Sequence, residues 1–431
     1  MSFMEETTGS NCVSSSGVVH RTDQSHRLEQ AEPRVNEHVV KLVYITTLPF
    51  GQWWFLKGQP KFMAQRGFEL HSITSPDVYF EELASQWGLK THSVPMARDV
   101  ALWKDAKSFV QIYRTLKKIN PDMVQVSTPK AALLGSIAAR LARVPIRICL
   151  ITGLHSSSKK GLKKLLYMVA EGIAPRMCTV TRCNSSSLLR YAVKHRIVPL
   201  KKAVLLGHGM SNGLDTVHFD RARVESSYDL KGIRARLGIP ESSEVLGFCG
   251  RLTRDKGLRD LQEAWLIIRE QFPNVRLLLV GWWWEAVDVV EQEVKKSLAA
   301  DPRVHITGRV EDPAPYYALM TMLIHPSYRE GFPQAPMEAA AMELPVVATD
   351  AVGCVDAVVD GVTGTLAPVG DVSALVNAIS RYLRDPQLKD RHGKAGRERV
   401  VKYFRQEVLW EEIYRFYSKL LIVSRVRTGT I

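Results

Sequence analysis

The chain has no apolar run as long as the ~18 residues that a membrane-spanning helix needs. Its nearest candidate, residues 131–154, is broken by Arg140, Arg143 and Arg147. It does not open on a basic start followed by an apolar core. Glu5, Glu6 and many serines stand there instead, so no secretory leader is expected. Cysteine is sparse. Cys12, Cys149, Cys178, Cys183, Cys249 and Cys354 are scattered without a C-x-x-C pair. That excludes a disulfide framework and a zinc site and points to a reducing, cytoplasmic compartment. The rest is ordinary globular composition, 45% hydrophobic and 24% charged over 431 residues. Wholesale disorder, collagen and coiled coil are ruled out, and two or three domains fit the length.

Charge is unevenly spread. Residues 1–39 hold 3 basic and 6 acidic groups and residues 216–431 hold 29 of each, so of the net +14 the stretch 40–215 carries +17. One half therefore faces something anionic: nucleic acid, anionic lipid or a phosphorylated substrate.

Residues 1–38 are rich in Ser, Glu and Gln and read as a disordered extension. From residue 39, short apolar, β-branched runs alternate with helical stretches. Strands are expected at 39–46, 69–74, 123–127, 146–151 and 179–182. The alternation lapses over 207–238, which is polar and glycine-rich, and then restarts. Further strands are expected at 245–249, 276–280, 304–307, 322–325 and 346–349, with a last helix over 405–421. This spacing predicts an α/β protein of two doubly wound, Rossmann-like parallel-sheet units facing each other across a cleft. Ligands of such sheets bind beyond the carboxyl ends of the strands.

Two segments carry chemistry. The first runs Glu330-Gly331-Phe332-Pro333-Gln334-Ala335-Pro336-Met337-Glu338. It follows a strand and leads into a helix, with Pro336 expected at the first helical position. The free N–H groups and dipole of that helix suit a phosphate, and a carboxylate suits sugar hydroxyls. A pair of glutamates alone fits equally a solvated Glu330 and a Glu338 that complements the helix dipole. The second is Gly250-Arg251-Leu252-Thr253-Arg254-Asp255-Lys256-Gly257, where glycines let the chain turn and Arg251 and Lys256 can neutralise a diphosphate. It has neither the G-x-x-x-x-G-K-[ST] nor the G-x-G-x-x-G spacing, so dinucleotide binding is not indicated. Taken alone, both cations also read as solvated charges.

In this order and spacing, the Gly-Arg-Leu-x-x-x-Lys-Gly segment, the Glu-x7-Glu pair, Leu344–Asp350 and Asp360-Gly361-Val362-Thr363-Gly364 resemble the retaining glycosyltransferases of family 4, with the GT-B fold. Thr128-Pro129-Lys130, Ile151-Thr152-Gly153-Leu154 and residues 207–215 extend the resemblance to about residues 40–422. They are most similar to the subgroup that builds exopolysaccharide, capsule or O-antigen repeats on a lipid carrier. The resemblance implies that Arg251 and Lys256 bind the donor diphosphate, Glu338 the ribose and Glu330 a sugar hydroxyl. Gly250 lies in the same segment as Arg251 and Lys256, backbone at Gly331, Phe332 and Gln334 approaches the sugar, and the stretch around Arg309 and Val310 holds the base. The last helix crosses back to the first unit. Two positions depart from the family. Glu343 replaces the usual glycine at a place where a left-handed residue costs ~1–2 kcal/mol. His155 is shifted from the histidine or arginine that many relatives carry at Thr152.

A third segment, Ser156 to Leu166, reads as a helix capped by serines, with Leu162, Leu165, Leu166 and Val169 on one face and Lys159, Lys160, Lys163 and Lys164 around it. It fits an anionic membrane surface, or a surface helix with its apolar face in the core. Trp53-Trp54 and Trp282-Trp283-Trp284 fit core packing or interfacial contact, and the first pair fits an acceptor cleft as well. Lys130 and His155 are candidate acceptor contacts.

The expected organisation is thus an extension (1–38), an acceptor- and membrane-facing unit (39–215), a nucleotide-sugar unit (216–404) and a crossing helix (405–422). The expected activity is retaining transfer of a hexose or N-acetylhexosamine from a nucleoside diphosphate sugar to a polyprenyl-diphosphate-linked saccharide. No Asp-x-Asp pair occurs, so no metal and no cofactor are expected. Nor is nucleic acid expected as a partner, and the location is cytoplasmic, peripheral on the inner face of the plasma membrane. A sugar-nucleotide 2-epimerase, or a basic nucleic-acid-binding protein without a known module, are the alternatives.

Overall fold

The computed structural model describes residues 39–428 apart from 51, 53–55, 98–100, 159 and 286–287. The extension 1–38, Trp53-Trp54 and Lys159 lie outside the described residues.

Val40–Ile45 (β1), Phe68–Thr74 (β2), Lys90–Ser93 (β3), Met123–Val126 (β4), Ile146–Ile151 (β5), Val180–Cys183 (β6) and Ala203–Val204 (β7) form one sheet among the described residues, in the order β3-β2-β1-β4-β5-β6-β7. Glu244–Cys249 (β8), Val275–Val280 (β9), Val304–Ile306 (β10), Met322–His325 (β11), Val346–Thr349 (β12) and Gly364–Ala367 (β13) form a second, ordered β10-β9-β8-β11-β12-β13. Every pairing is parallel, with registers such as Ile45 beside Ile73 and Val126, and His325 beside Ala348. Both doubly wound units are therefore present. In each, the order reverses beside the first strand (β1/β4 and β8/β11), and that switch point opens a crevice at the carboxyl ends.

Three strands have no counterpart in the sequence reading: β3, β7 and β13. All three are sheet edges. An edge strand need not be apolar on both faces, so Lys90-Thr91-His92-Ser93 shows no hydrophobic run. The polar stretch 207–238 also carries two short helices, Arg221–Ser227 and Leu230–Arg236. Asp220 caps the first by accepting from Arg223 N, and Asp229 caps the second by accepting from Gly232 N.

Four helices border the site and its surroundings: α1 (Gly161–Met177), α2 (Ser186–Lys194), α3 (Gln334–Ala341) and α4 (Gln406–Thr428). The serines expected to cap α1 lie in a separate 3-10 turn, His155–Ser158. The helix starts one residue after Lys160, without a side-chain cap. Helix α3 starts at Gln334, not at Pro336. Pro333 is the cap residue, and Pro336 falls within the first turn, where the N–H it lacks has no partner to lose.

Helix α4 packs on the first sheet. Leu409, Ile413 and Tyr417 join Val40, Leu42 and Tyr44 in one buried cluster. Tyr417 Oη donates to Gln125 at 2.5 Å, and Trp410 Nε1 donates to Asn212 at 2.7 Å. The chain crosses between the sheets twice, side by side: Leu214 N donates to Phe404 O at 2.7 Å, and Gln406 N to Leu214 O at 3.0 Å. Gly213, at φ 74°, permits this approach, because a Cβ there would lie 2.5 Å from Gln406 Cα.

Candidate active site

The motif residues converge at the carboxyl ends of β8, β9 and β11. After β8 the chain turns at Gly250 (φ 143°), beneath which Gly281 packs so tightly that a Cβ on it would stand 1.9 Å from Gly250 O. Arg251 emerges exposed from this turn. Among the described residues it has no carboxylate partner, and its guanidinium lies 5.4 Å from the Trp284 ring centroid. Lys256 closes a 3-10 turn, Arg254–Lys256, that ends at Gly257 (φ 74°), where a Cβ would sit 2.0 Å from Pro326 O.

That contact brings Lys256 beside the loop after β11. Lys256 Nζ pairs with Glu330 Oε1, the atom that also accepts from His325 Nε2 at 2.9 Å and Ser327 Oγ at 3.0 Å. Burial alone would raise the Glu330 carboxyl. The Lys256 ammonium and the His325 ring overcome it and hold the group well below the usual carboxylate range. Oε2 keeps no hydrogen bond among the described residues. Glu330 is thus a fixed, ionised acceptor rather than a solvated side chain.

Glu338, on α3, is buried and accepts from Tyr317 Oη at 2.8 Å. Burial pushes it up to about 7, against the Tyr317 hydrogen bond. Among the described residues the cap position, Pro333, makes no side-chain hydrogen bond to the start of α3, and the positive end of the helix dipole lies there.

The first sheet meets this site through backbone. A Cβ on Gly331 would lie 1.7 Å from Thr152 O, so only glycine allows the loop after β5 to touch the Glu330 loop. Asp356 accepts from Ser187 N at the start of α2, and Gly353 N donates to Ser187 Oγ at 2.8 Å. Phe332 is buried and packs on Phe404 at 5.4 Å, so its side chain braces the loop. Arg309 is exposed and donates to Tyr79 Oη, while the neighbouring Val310 packs against the core.

The acceptor candidates fare differently. Lys130 Nζ pairs with Asp105 at 2.7 Å. His155 donates its backbone N–H to Glu171 at 2.6 Å and stacks on Tyr167. On α1, Leu162, Leu165, Leu166 and Val169 are 72%, 54%, 62% and 62% exposed. The core-helix alternative for this face is therefore overturned. Lys160 and Lys163 are exposed beside it, and Lys164 lies 5.5 Å over the Tyr191 ring.

Sequence reasoning missed His325, Ser327, Tyr317 and Asp312. Asp312 accepts from His218 at 2.8 Å and from Tyr228 at 2.5 Å; burial would raise it, but these bonds hold it near 2. Of the four, only His325 carried a signal: a polar residue closing a buried strand, five positions before Glu330.

Two facing doubly wound parallel sheets, with a cationic and carboxylate site at the carboxyl edge of the second, define the GT-B class of glycosyltransferases. The comparisons agree. A family described as "Glycosyl transferase 4-like" matches residues 44–181, and one described as "Glycosyl transferases group 1" matches residues 243–385. The chain is 32% identical over 368 residues, 85% of its length and 94% of the relative's, to the capsular polysaccharide biosynthesis glycosyltransferase CapM of Staphylococcus aureus. It is 27% identical, over 76% of its length and 83% of the relative's, to the Escherichia coli UDP-Gal:alpha-D-GlcNAc-diphosphoundecaprenol alpha-1,3-galactosyltransferase. Anabaena HepE, solved with UDP and glucose, superposes with a TM-score of 0.73 at 21% identity, over 88% of this chain and all of that one. The chain belongs to the family-4 glycosyltransferases and is a glycosyltransferase of capsule and O-antigen type polysaccharide biosynthesis. Among the described residues, no helix is long and apolar enough to cross a membrane.

Proposed function

We propose that the chain transfers a hexose or N-acetylhexosamine, with retention and without a metal, from a nucleoside diphosphate sugar to a polyprenyl-diphosphate-linked saccharide. The observation that carries this reading is the Lys256–Glu330–His325 cluster, together with an Arg251 guanidinium that has no carboxylate partner among the described residues. Arg251, Lys256 and the dipole at the start of α3 supply the positive charge that a leaving diphosphate needs. Glu338 takes the ribose, and Glu330 Oε2 takes a sugar hydroxyl. The segment 216–404 is the donor half and 39–215 the acceptor half. The diphosphoundecaprenol in the name of the Escherichia coli relative supports the acceptor class.

Retention is what the resemblance to the family implies, and the state of Glu330 bears on how it is reached. A carboxylate held ionised by an ammonium and two further donors is a weak nucleophile, which disfavours a glycosyl-enzyme intermediate. The acceptor then attacks from the leaving-group face, and the departing phosphate oxygen takes its proton.

The exposed face of α1 is the membrane contact on the cytoplasmic leaflet. Four uncovered apolar side chains flanked by lysines match the charge and depth of an anionic bilayer surface. A groove of about 410 Å³ lies along the same helix, between Leu165, Val169 and Ile173 and the segment His195-Arg196.

The test is product stereochemistry. With a lipid-diphosphate acceptor and labelled donors, NMR should show the donor's anomeric configuration retained. An inverted centre overturns the mechanism, and donor turnover without an acceptor product favours the epimerase reading.

A further inference from the structure

Trp282, Trp283 and Trp284 continue β9 past its end and pair with the Arg251 segment. Leu252 N donates to Trp282 O at 2.9 Å, and Trp284 N to Leu252 O at 3.3 Å. Side chains alternate in such a pairing. Leu252 and Trp283 turn inward onto the core of the second sheet, with Lys295 5.6 Å from the Trp283 ring. Trp282 and Trp284 share the opposite face with Arg251. They meet edge to face, with centroids 6.2 Å apart and planes at 65°. Each carries a guanidinium. Arg251 stands 5.4 Å from Trp284, and Arg309 stands 5.8 Å from Trp282, closed in by Phe50 and Tyr79 at 5.9 Å each.

An exposed arginine ordinarily samples many rotamers. A carboxylate would fix it but would also consume the N–H fork that an anionic ligand needs. An indole face fixes the cation by its quadrupole and leaves the fork open. We propose that Trp284, braced edge-on by Trp282, is a positioning residue for Arg251 that presets the guanidinium for the donor diphosphate. This rests on Arg251 being a donor-site residue.

Calorimetry on the full chain tests it, using whichever of UDP, GDP and ADP binds, together with the matching nucleoside. Trp284→Ala should weaken the nucleoside diphosphate roughly two- to fivefold, the size of an exposed cation–π contact. It should leave the nucleoside unchanged and cost nothing more in an Arg251→Ala background. Trp284→Phe should keep most of the affinity, while Trp284→Leu, apolar but without a π face, should lose as much as alanine. Thermal melts check folding, and the Phe and Leu variants carry the comparison if the alanine variant unfolds. Equal losses in both backgrounds, an equal loss for the nucleoside, or rescue by leucine would each reduce Trp284 to packing and overturn the proposal. If Arg251→Ala leaves diphosphate affinity unchanged, the donor assignment falls and takes the platform with it. A loss in Arg251→Ala with a silent Trp284→Ala sinks the platform alone.

Discussion

Replacing Glu338 by Gln should flatten the pH dependence of donor binding. Burial holds the Glu338 carboxyl near 7, and a ribose that donates two hydroxyls needs the ionised form. Between pH 6 and pH 8 the ionised fraction rises from about 0.1 to about 0.9, so affinity should rise nearly tenfold. The stability of the unliganded protein runs the other way. The folded value lies above the unfolded one, so the native state binds more protons over the interval from about 4.5 to about 7. Its contribution is therefore complete below that interval and lost as pH rises through 7, on the order of 3 kcal/mol in all. Tyr317, His218, Asp312 and Lys57 face Glu338 and remain in the variant, so their titration cancels in the difference. The assay is calorimetry with a nucleoside diphosphate sugar, because the terminal phosphate of a free nucleoside diphosphate itself titrates near 6. Thermal melts over the same pH range follow stability. Identical pH slopes in wild type and Glu338→Gln, for binding or for melting, refute the reasoning.

Glu330→Gln should lower turnover, since Lys256 loses its counter-charge, yet mass spectrometry should find no glycosyl adduct in either protein; an adduct on Glu330 of the wild type contradicts same-face attack. Leu166→Asp should leave the melting temperature unchanged, because the side chain is exposed, while reducing sedimentation with phosphatidylglycerol vesicles. Joint replacement of Lys160, Lys163 and Lys164 by Gln should weaken the same binding by ~1 kcal/mol per lysine at low salt, and equal binding to neutral vesicles would argue against the membrane face. Glu343, observed at φ 60°, occupies a left-handed position, so Glu343→Gly should stabilise by ~1 kcal/mol and raise the melting temperature by a few degrees; a lower melting temperature would contradict that.

The interior strands were legible because a strand covered on both faces must be apolar throughout. Ile146–Ile151, Met322–His325 and Val346–Thr349 fall where such runs fall. Three of the four edges were not legible, since a strand such as Lys90–Ser93 needs only one ladder partner and no apolar face; the fourth, Val304–Ile306, was. At the site, Arg251, Lys256, Glu330 and Glu338 stood out by spacing along the chain. Their relations did not. The pairing of Lys256 with Glu330 spans 74 positions, and the Tyr317 that holds Glu338 comes from a separate helix. The exposure of Leu162 and Leu166 was equally unreadable, because a helix with one apolar stripe looks the same whether that stripe meets a core or solvent.

The return of α4 to the first sheet has a consequence for biosynthesis. Val40, Leu42 and Tyr44 belong to a cluster completed by Leu409, Ile413 and Tyr417, so one side of the first sheet stays open until residues 406–417 have left the ribosome. At ~5–20 residues per second, the roughly 200 residues between β7 and α4 take about 10–40 s. Throughout that time the nascent first half exposes an apolar sheet face and the buried Arg182 lacks its Tyr417 neighbour. Chaperone occupancy during translation, and protease sensitivity of chains arrested before residue 406, therefore report on the docking of a single C-terminal helix.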